Sequence, residues 1–184
     1  MNEMSNKARL TPQDTALTGI FCALWVVLNL TLGPLSFQLL GLPILHDFGV
    51  FSTLLLTAWV TERFGTSSIV GIIGSILAIF LGGQPLIICF AASAVIFDLL
   101  LFANQHRIRI AIYSLTIAAV ATTVSAYFAG VLIGVLFTTN QTLQWALTFW
   151  GGWHLVGGIM TVAITFPIIL SLERANVRKI KGGR

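Results

Sequence analysis

Three side chains suited to ligand binding lie close together in the stretch "TFWGGWHLVGG", residues 148–158. Trp150 and Trp153 are three positions apart, and Trp150 and His154 are four apart, so one helix face would present all three. Indole rings offer stacking surface and imidazole offers a directional hydrogen bond, which is what a small planar ligand needs. The same tryptophans would also suit an interfacial aromatic belt, and this alternative stays open, above all for Trp145.

Further polar residues lie near the ends of other apolar segments, and we expect them on the same, outer side of a membrane. Asp47 follows His46, and its carboxylate either caps a helix or contacts a cationic ligand. A metal ion shared by His46 and His154 is only weakly indicated, because the two lie on separate segments, so we predict no metal site and no cofactor. The predicted ligand-binding residues are Gln38, His46, Asp47, Gln84, Asn140, Trp150, Trp153 and His154.

Catalytic and nucleotide-binding motifs are missing from the sequence. It contains no GxxxxGK[ST] loop, HExxH or GxSxG, so nothing nominates an ATPase, a metalloprotease or a serine hydrolase, and we predict a protein that is not an enzyme. Asp98 is the only acid well inside an apolar segment, and His106 and Arg107 follow it closely. We expect Asp98 to act as a structural cap or ion-pair partner. An intramembrane enzyme or channel would need Asp98 and His154 to approach each other.

The elements that must position these residues are set by composition. Of 184 residues, 57% are hydrophobic and only 9% are charged, with a mean hydropathy of +0.94. Soluble domains carry about 25% charged residues, so this chain needs lipid as its solvent. The net charge of +4 comes from residues at segment ends, which argues against nucleic-acid binding. Cys22 and Cys89 form no CxxC motif and are expected to be packing residues.

The apolar pattern predicts an all-α integral membrane protein with a single domain over residues 1–184. A long outer loop containing Pro34 and Pro43 would separate helices one and two, and helices two and three are short for full spans. All ten Lys and Arg residues then fall on one side, which predicts cytoplasmic N- and C-termini. The six predicted helices cover about 14–33, 48–61, 66–82, 85–103, 110–138 and 145–172, followed by a basic tail, 173–184.

Small residues recur at helical spacing in three of these segments, and such stripes let helices approach closely. We expect the stripes of segments three and five to pack inside the protein. The stripe of segment one lies near the cytoplasmic end, where it would equally suit contact with a separate subunit. The stripes are Gly71, Gly74, Ala78 and Gly82 in segment three; Ser114, Ala118, Thr122, Ala126, Gly130 and Gly134 in segment five; and Thr15, Gly19 and Ala23 in segment one.

Several features of the chain together resemble one protein family. They are its length, six helices, cytoplasmic termini, a long first outer loop and the run from Gly19 to Ala23. The chain is similar over its whole length to the substrate-binding S components of energy-coupling factor (ECF) vitamin transporters. In that family an Ala-x-x-x-Ala motif on helix one contacts the coupling transmembrane subunit, and here the matching positions read Gly19-Ile-Phe-Cys-Ala23. Glycine in place of alanine keeps this surface small.

The resemblance implies an outward pocket lidded by the first loop, a vitamin or vitamin precursor as ligand, and a separate coupling subunit with ABC ATPases. It also implies a prokaryotic cell membrane. An uncharged to cationic aromatic heterocycle, similar to thiamine or a pyrimidine, would suit the tryptophans with Asp47 nearby. The alternative is a structural or accessory subunit of a larger membrane complex, in which the small-residue stripes dock partner helices.

Overall fold

Helices form almost all of the described chain, and the connections between them are short. The computed structural model describes residues 10–139, 141–175 and 177, and this part contains no β-strand. The helices are α1 (Pro12–Leu40), α2 (Ile44–Thr61), α3 (Thr66–Phe80), α4 (Ile88–Leu101), α5 (Ile112–Leu136) and α6 (Gly151–Arg174). Short 3-10 turns, Pro85–Ile87 and Phe102–Asn104, flank α4. One α-helical turn, Leu143–Trp145, and a π-helical segment, Ala146–Trp150, precede α6.

Five helical segments are long and apolar enough to cross a membrane, as expected for a multi-pass helical membrane protein. They are Pro12–Leu40, Ile44–Thr61, Pro85–Asn104, Ile112–Leu136 and Leu143–Arg174. The sixth helix, α3, has 15 residues and therefore a length of about 22 Å, below the hydrocarbon thickness of about 30 Å. The helical membrane architecture is thus confirmed, while full spanning by α3 stays a prediction.

The predicted long loop between the first two helices is wrong. α1 continues through Pro34 to Leu40, and only residues 41–43 separate it from α2. Proline inside a helix is tolerated in membrane proteins because neighbouring groups satisfy the freed backbone. The Ser36 hydroxyl then fixes the reversal of the chain, since it donates to the Leu42 carbonyl at 2.5 Å and accepts from the Leu45 amide at 2.9 Å. Three residues are too few to cover a pocket as a lid.

The N-terminus of α1 and the turn after it show why this helix begins and ends where it does. Thr11 accepts a hydrogen bond from the Asp14 amide, and the Asp14 carboxylate accepts from the Thr11 amide, which forms a capping box. Pro12 occupies the first helical turn, where its missing amide proton does no harm. At the other end Gly41 adopts φ 65°, the left-handed conformation that commonly terminates helices.

α2 is the central helix of the bundle. It contacts α1, α3 and α6, and it is the most deeply buried of the membrane-spanning segments. Apart from His46 and Asp47 in its first turn, its side chains are mostly apolar or small, so it gains by burial on all faces. Phe51, Leu54 and Leu55 are completely buried and form the middle of the core. The other close pairs are α5 with α6, α3 with α4, α4 with α5, and α1 with α3.

Close helix packing on the small-residue stripes of α3 and α5 is confirmed. A Cβ added at Gly74 would lie 2.7 Å from the Trp25 ring of α1, and one added at Gly71 would lie 2.2 Å from the Ala94 Cβ of α4. On α5, a Cβ at Gly130 would lie 2.5 Å from the Trp150 carbonyl. All six residues of the α5 stripe are buried, whereas Gly82 at the end of the α3 stripe is exposed.

The arginines of the described chain gather at one end of the bundle, called here the basic end. Arg63 in the α2–α3 turn lies 3.5 Å from Asp14 of α1, and Arg107 and Arg109 lie in the α4–α5 connection. Arg174 is the last residue of α6. The opposite end, called the far end, contains the α1–α2 turn, the α3–α4 turn and the segment preceding α6.

Asp98 has the structural role that its position predicts. Its carboxylate accepts from both the amide and the hydroxyl of Ser68 at 2.8 Å, so it caps the first turn of α3 from α4. His106 Nδ1 lies 3.6 Å from the same carboxylate, between the rings of Phe64 and Phe102. Burial lowers the pKa of His106 below its ordinary value, and the facing Asp98 carboxylate partly opposes this shift.

Substitution of Gly130 by alanine tests the α5–α6 packing. The added Cβ meets the Trp150 carbonyl, so Gly130→Ala should destabilise the protein by about 1–3 kcal/mol. Gly19→Ala is the matched control, because it also lies inside a helix and nothing lies within 4 Å of its Cβ position. This control should be neutral or stabilising by up to about 1 kcal/mol. Thermal denaturation in detergent measures both, and equal effects would contradict the packing.

Candidate functional site

A cavity of about 580 Å³ lies at the far end of the bundle. Its walls come from α1, the first turn of α2, the α3–α4 connection and the π-helical segment before α6. This volume falls within the range of about 300–1,000 Å³ that holds small organic ligands. The lining residues are Asn29, Leu30, Gly33, Pro34, Phe37, His46, Leu81, Gly82, Gly83, Gln84, Leu86, Ile87 and Trp150.

The polar part of the wall is a hydrogen bond between α1 and α2. His46 Nε2 lies 2.5 Å from Asn29 Oδ1, and because an amide oxygen only accepts, the imidazole donates. The His46 ring contacts the Phe90 ring edge-on, with centroids 4.7 Å apart, and its other side lies beside Gly33 of α1. These contacts fix the orientation of His46. The Asn29 Nδ2 group has no hydrogen-bond partner in the described chain.

The aromatic part of the wall is formed by Trp150 and Phe37. Their ring centroids are 6.4 Å apart with the planes tilted by 54°. Trp145 and Phe149 pack around Trp150, at centroid distances of 6.0 and 6.1 Å. Trp150 is the last residue of the π-helical segment, and single π-helical turns inside α-helices are frequent at functional sites. The arrangement gives a planar ligand an aromatic surface at the edge of the cavity.

A second polar pair lies behind the cavity wall and joins α2 to α6. His154 Nδ1 is 2.7 Å from Asp47 Oδ1, so the imidazole N–H donates to the carboxylate. The side chains are 1% and 0% exposed. Of the two alternatives for Asp47, the helix cap is not seen, since the N-terminus of α2 has no side-chain cap. The Trp150 ring packs on His154 at 6.0 Å, so the pair supports the wall from behind.

The glycines around His154 make room for neighbouring helices. A Cβ at Gly157 would lie 2.2 Å from Asp47 Oδ2, and one at Gly158 would lie 2.9 Å from the Ala126 Cβ. A Cβ at Gly151 would lie 2.6 Å from the Tyr127 ring. Only Gly152 among the four has nothing within 4 Å. The glycine-rich sequence therefore lets α2 and α5 approach α6 closely, and the Asp47–His154 contact depends on Gly157.

The structure brings together some of the predicted binding residues and separates others. His46, Gln84 and Trp150 line the cavity. Asp47 and His154 form the pair behind it. Gln38 and Trp153 do not line it: Gln38 is exposed at the end of α1, and Trp153 is partly exposed on α6. Asn140 lies outside the described residues.

Trp150, Trp153 and His154 do not share one helix face, although their spacing predicts that they would. Successive residues of an α-helix differ in direction by about 100°, so Trp153 and His154 diverge even though each is close to Trp150 in sequence. His154 points into the bundle and Trp153 lies beside it. Asp98 and His154 have separate partners, Ser68 and Asp47, and the approach that an intramembrane active site would need is not seen.

Asn29, Gly33 and Phe37 are among the cavity residues that the sequence does not predict. They are spaced four apart on α1, so they share one helix face that runs along the cavity. The sequence contains one signal for this face: Asn29 is a polar residue in an apolar segment, and Gly33 follows it one helical turn later. The signal does not lead to the cavity as long as a loop is predicted to begin at Pro34.

The small-residue stripe of α1 lies on the surface near the basic end. Thr15, Gly19 and Ala23 are all exposed, and Ile20 between them is 63% exposed. These residues therefore form an open, low-relief face on α1, called here the α1 face. In this respect α1 differs from α3 and α5, whose stripes are covered by other helices.

The residues just described define a helical membrane protein with a ligand-sized cavity at one end. In the described chain, no group of three or more His, Cys, Asp or Glu residues is placed to hold a metal ion. Comparison with protein-family models, with curated proteins and with solved structures finds no match.

Breaking the Asp47–His154 pair tests how much the pair contributes to the stability of the protein. Asp47→Ala and His154→Ala should each destabilise the protein by about 3–5 kcal/mol, because each leaves a buried polar partner unsatisfied. The double variant should cost less than the sum by at least about 1 kcal/mol.

The matched control combines Asp47→Ala with Ser68→Ala, which lies at the basic end. This combination should be additive to within about 0.5 kcal/mol, because the two sites share no contact. Unfolding in detergent measures all variants. Additive effects for Asp47 and His154 would show that the pair contributes no coupling.

Proposed function

We propose that the chain is the substrate-capture subunit of an ECF-type ABC importer. It binds a vitamin or vitamin precursor outside the cell and delivers it with a coupling subunit and ATPases supplied by other chains. The observation that carries this proposal is the cavity of about 580 Å³ at the end of the bundle opposite the arginines, with Trp150 in its wall.

The position of the charges favours an outward-facing cavity. Arginine and lysine concentrate in the cytoplasmic loops of membrane proteins. The basic end of the bundle is then cytoplasmic, and the far end faces outside. Leu81 and Gln84 at the cavity are exposed, which leaves a route of entry from that side. The membrane concerned is the prokaryotic cell membrane in this proposal, and the chain acts there without catalysis of its own.

The cavity must accept ligand without the covering loop that the family resemblance implies. The α1–α2 turn has only three residues, so closure falls to the α3–α4 connection, where Gly82 adopts φ 94° and Gly83 packs against the Ala78 carbonyl. Leu81, Gly82, Gly83 and Gln84 all line the cavity. This connection and Phe37 at the end of α1 therefore take the place that a longer first loop would hold.

The α1 face supports the second half of the proposal, delivery through a separate subunit. Its glycine and alanine allow a partner helix to approach the backbone closely. The face is near the cytoplasmic end of α1 in this orientation, away from the cavity. Ligand binding and docking thus occupy opposite ends of the same helix, since Asn29, Gly33 and Phe37 lie farther along α1.

Tryptophan fluorescence titrated with a panel of vitamins tests ligand capture. We expect quenching at nanomolar to low-micromolar concentration by a member of the panel, because Trp150 contacts the cavity. Trp150→Phe should remove most of this quenching. Trp153→Phe is the matched control and should retain it, because Trp153 does not line the cavity. A flat response of the wild-type protein to the whole panel would contradict the proposal.

The second candidate function is an accessory subunit of a larger membrane complex, and the exposed α1 face favours it. Gly19→Leu separates the two candidates, because Gly19 has nothing within 4 Å and the leucine obstructs only an external partner. A capture subunit with this substitution still binds its ligand but no longer copurifies with an ATPase module. An accessory subunit loses its complex and shows no ligand binding before or after the change.

A further inference from the structure

The cavity is lined by hydrogen-bonding groups but by no permanently charged side chain. Among the described residues that line it, none is Asp, Glu, Lys or Arg, and the side chains with hydrogen-bonding groups are Asn29, His46, Gln84 and Trp150, whose indole N–H donor is buried without a partner. Gln84 is exposed at the rim, whereas Asn29 and His46 are 2% and 4% exposed within the wall. A charged ligand that enters this wall loses hydration and meets no permanent counter-ion, which is unfavourable.

The acid nearest to the cavity is not accessible to a ligand. Asp47 follows His46 in sequence, but successive helix positions point about 100° apart, and its carboxylate is directed toward α6. There it accepts from His154, and Gly157 packs so closely that no atom fits between the carboxylate and α6. Asp47 is completely buried and does not line the cavity. It therefore cannot act as the counter-ion of a cationic heterocycle.

The Asn29–His46 hydrogen bond determines which end of the Asn29 side-chain amide remains available to a ligand. Asn29 Oδ1 is held by the His46 Nε2–H, so the amide NH₂ is the part of Asn29 that is left without a partner. An NH₂ group only donates, and a ligand that binds here satisfies it with an acceptor such as a carbonyl oxygen or an unprotonated ring nitrogen. Burying such a donor without an acceptor would be costly.

We propose that the cavity selects an uncharged planar compound that accepts a hydrogen bond from Asn29 and stacks on the Trp150 side of the wall. Cations and anions of the same shape are rejected because the wall offers no counter-charge. This inference rests on the proposed capture function and narrows it, since it excludes the cationic ligands that Asp47 would otherwise favour.

Three planar probes of nearly equal shape and different charge test the inference directly. They are benzamide, which is neutral, benzamidine, which is cationic, and benzoate, which is anionic. Ligand-observed NMR with the full-length protein in detergent at neutral pH gives their relative affinities. We expect benzamide to bind at least about tenfold more tightly than either ion. Equal or tighter binding of benzamidine or benzoate would overturn the inference, as would no detectable binding of benzamide at millimolar concentration.

A negative charge introduced at Asn29 gives a second, independent readout. Asn29→Asp keeps the shape of the side chain, removes the NH₂ donor and adds a negative charge at the wall. Benzamide should weaken by about tenfold and benzamidine should become the preferred probe. Gln38→Glu is the matched control, because it adds the same charge on an exposed side chain at the far end that does not line the cavity, and it should leave the wild-type order unchanged. An unchanged order in Asn29→Asp would contradict the role of Asn29.

The outcomes separate this inference from the capture function. If the fluorescence panel identifies a charged vitamin whose quenching depends on Trp150, capture stands and the neutral-ligand inference fails. If no compound binds at all, both fail. The ranking of the three probes on the wild-type protein needs no variant, so a variant that does not fold leaves the test intact.

Discussion

The hydrogen bond between Asp47 and His154 is the contact on which the structure of the far end of the bundle depends. It is 2.7 Å long and lies between two side chains that are almost completely buried. Ionisable groups in such surroundings are unfavourable unless they are paired, so α2 and α6 are held at the separation that keeps this bond. Gly157 permits the approach, because any side chain there would displace the Asp47 carboxylate. At the basic end the Trp59 Nε1–H donates to Glu173 at 3.0 Å and joins the same two helices again.

The cavity follows from this arrangement. With α2 fixed against α6, His46 turns toward α1 and bonds to Asn29, while Trp150 packs on His154 and forms the opposite part of the wall. α5 supports α6 from behind through Gly130 and Gly134, whose missing side chains admit the backbone and ring of Trp150. Helices therefore form the cavity wall on most sides, and the α3–α4 connection is its least regular part.

The sequence predicts those features that depend on composition and short-range periodicity. Apolar segments predict helices because lipid leaves the backbone no other way to satisfy its hydrogen bonds, and the stripes on α3 and α5 predict where helices pack. The position of Asp98 near the end of its segment, a few turns before His106 and Arg107, predicts a structural role, but the partner that it caps, Ser68, is 30 residues away and has no such signal. The α1–α2 turn escaped prediction because the Ser36 hydroxyl that stabilises it bonds to residues six and nine positions away. The pairing of Asp47 with His154 across 107 residues has no local signature at all.

The central claim is that the ligand cavity faces outward. The most direct test is whether a membrane-impermeant maleimide labels residue 84 in intact cells. The two native cysteines, Cys22 and Cys89, are buried, so Gln84→Cys introduces the reactive thiol. Ala111→Cys, exposed at the basic end, is the control. The account predicts that Gln84→Cys is labelled from outside, that a captured ligand slows this labelling, and that Ala111→Cys is labelled only after the membrane is permeabilised. Labelling of Gln84→Cys only after permeabilisation, or at a rate that no captured compound changes, would contradict it.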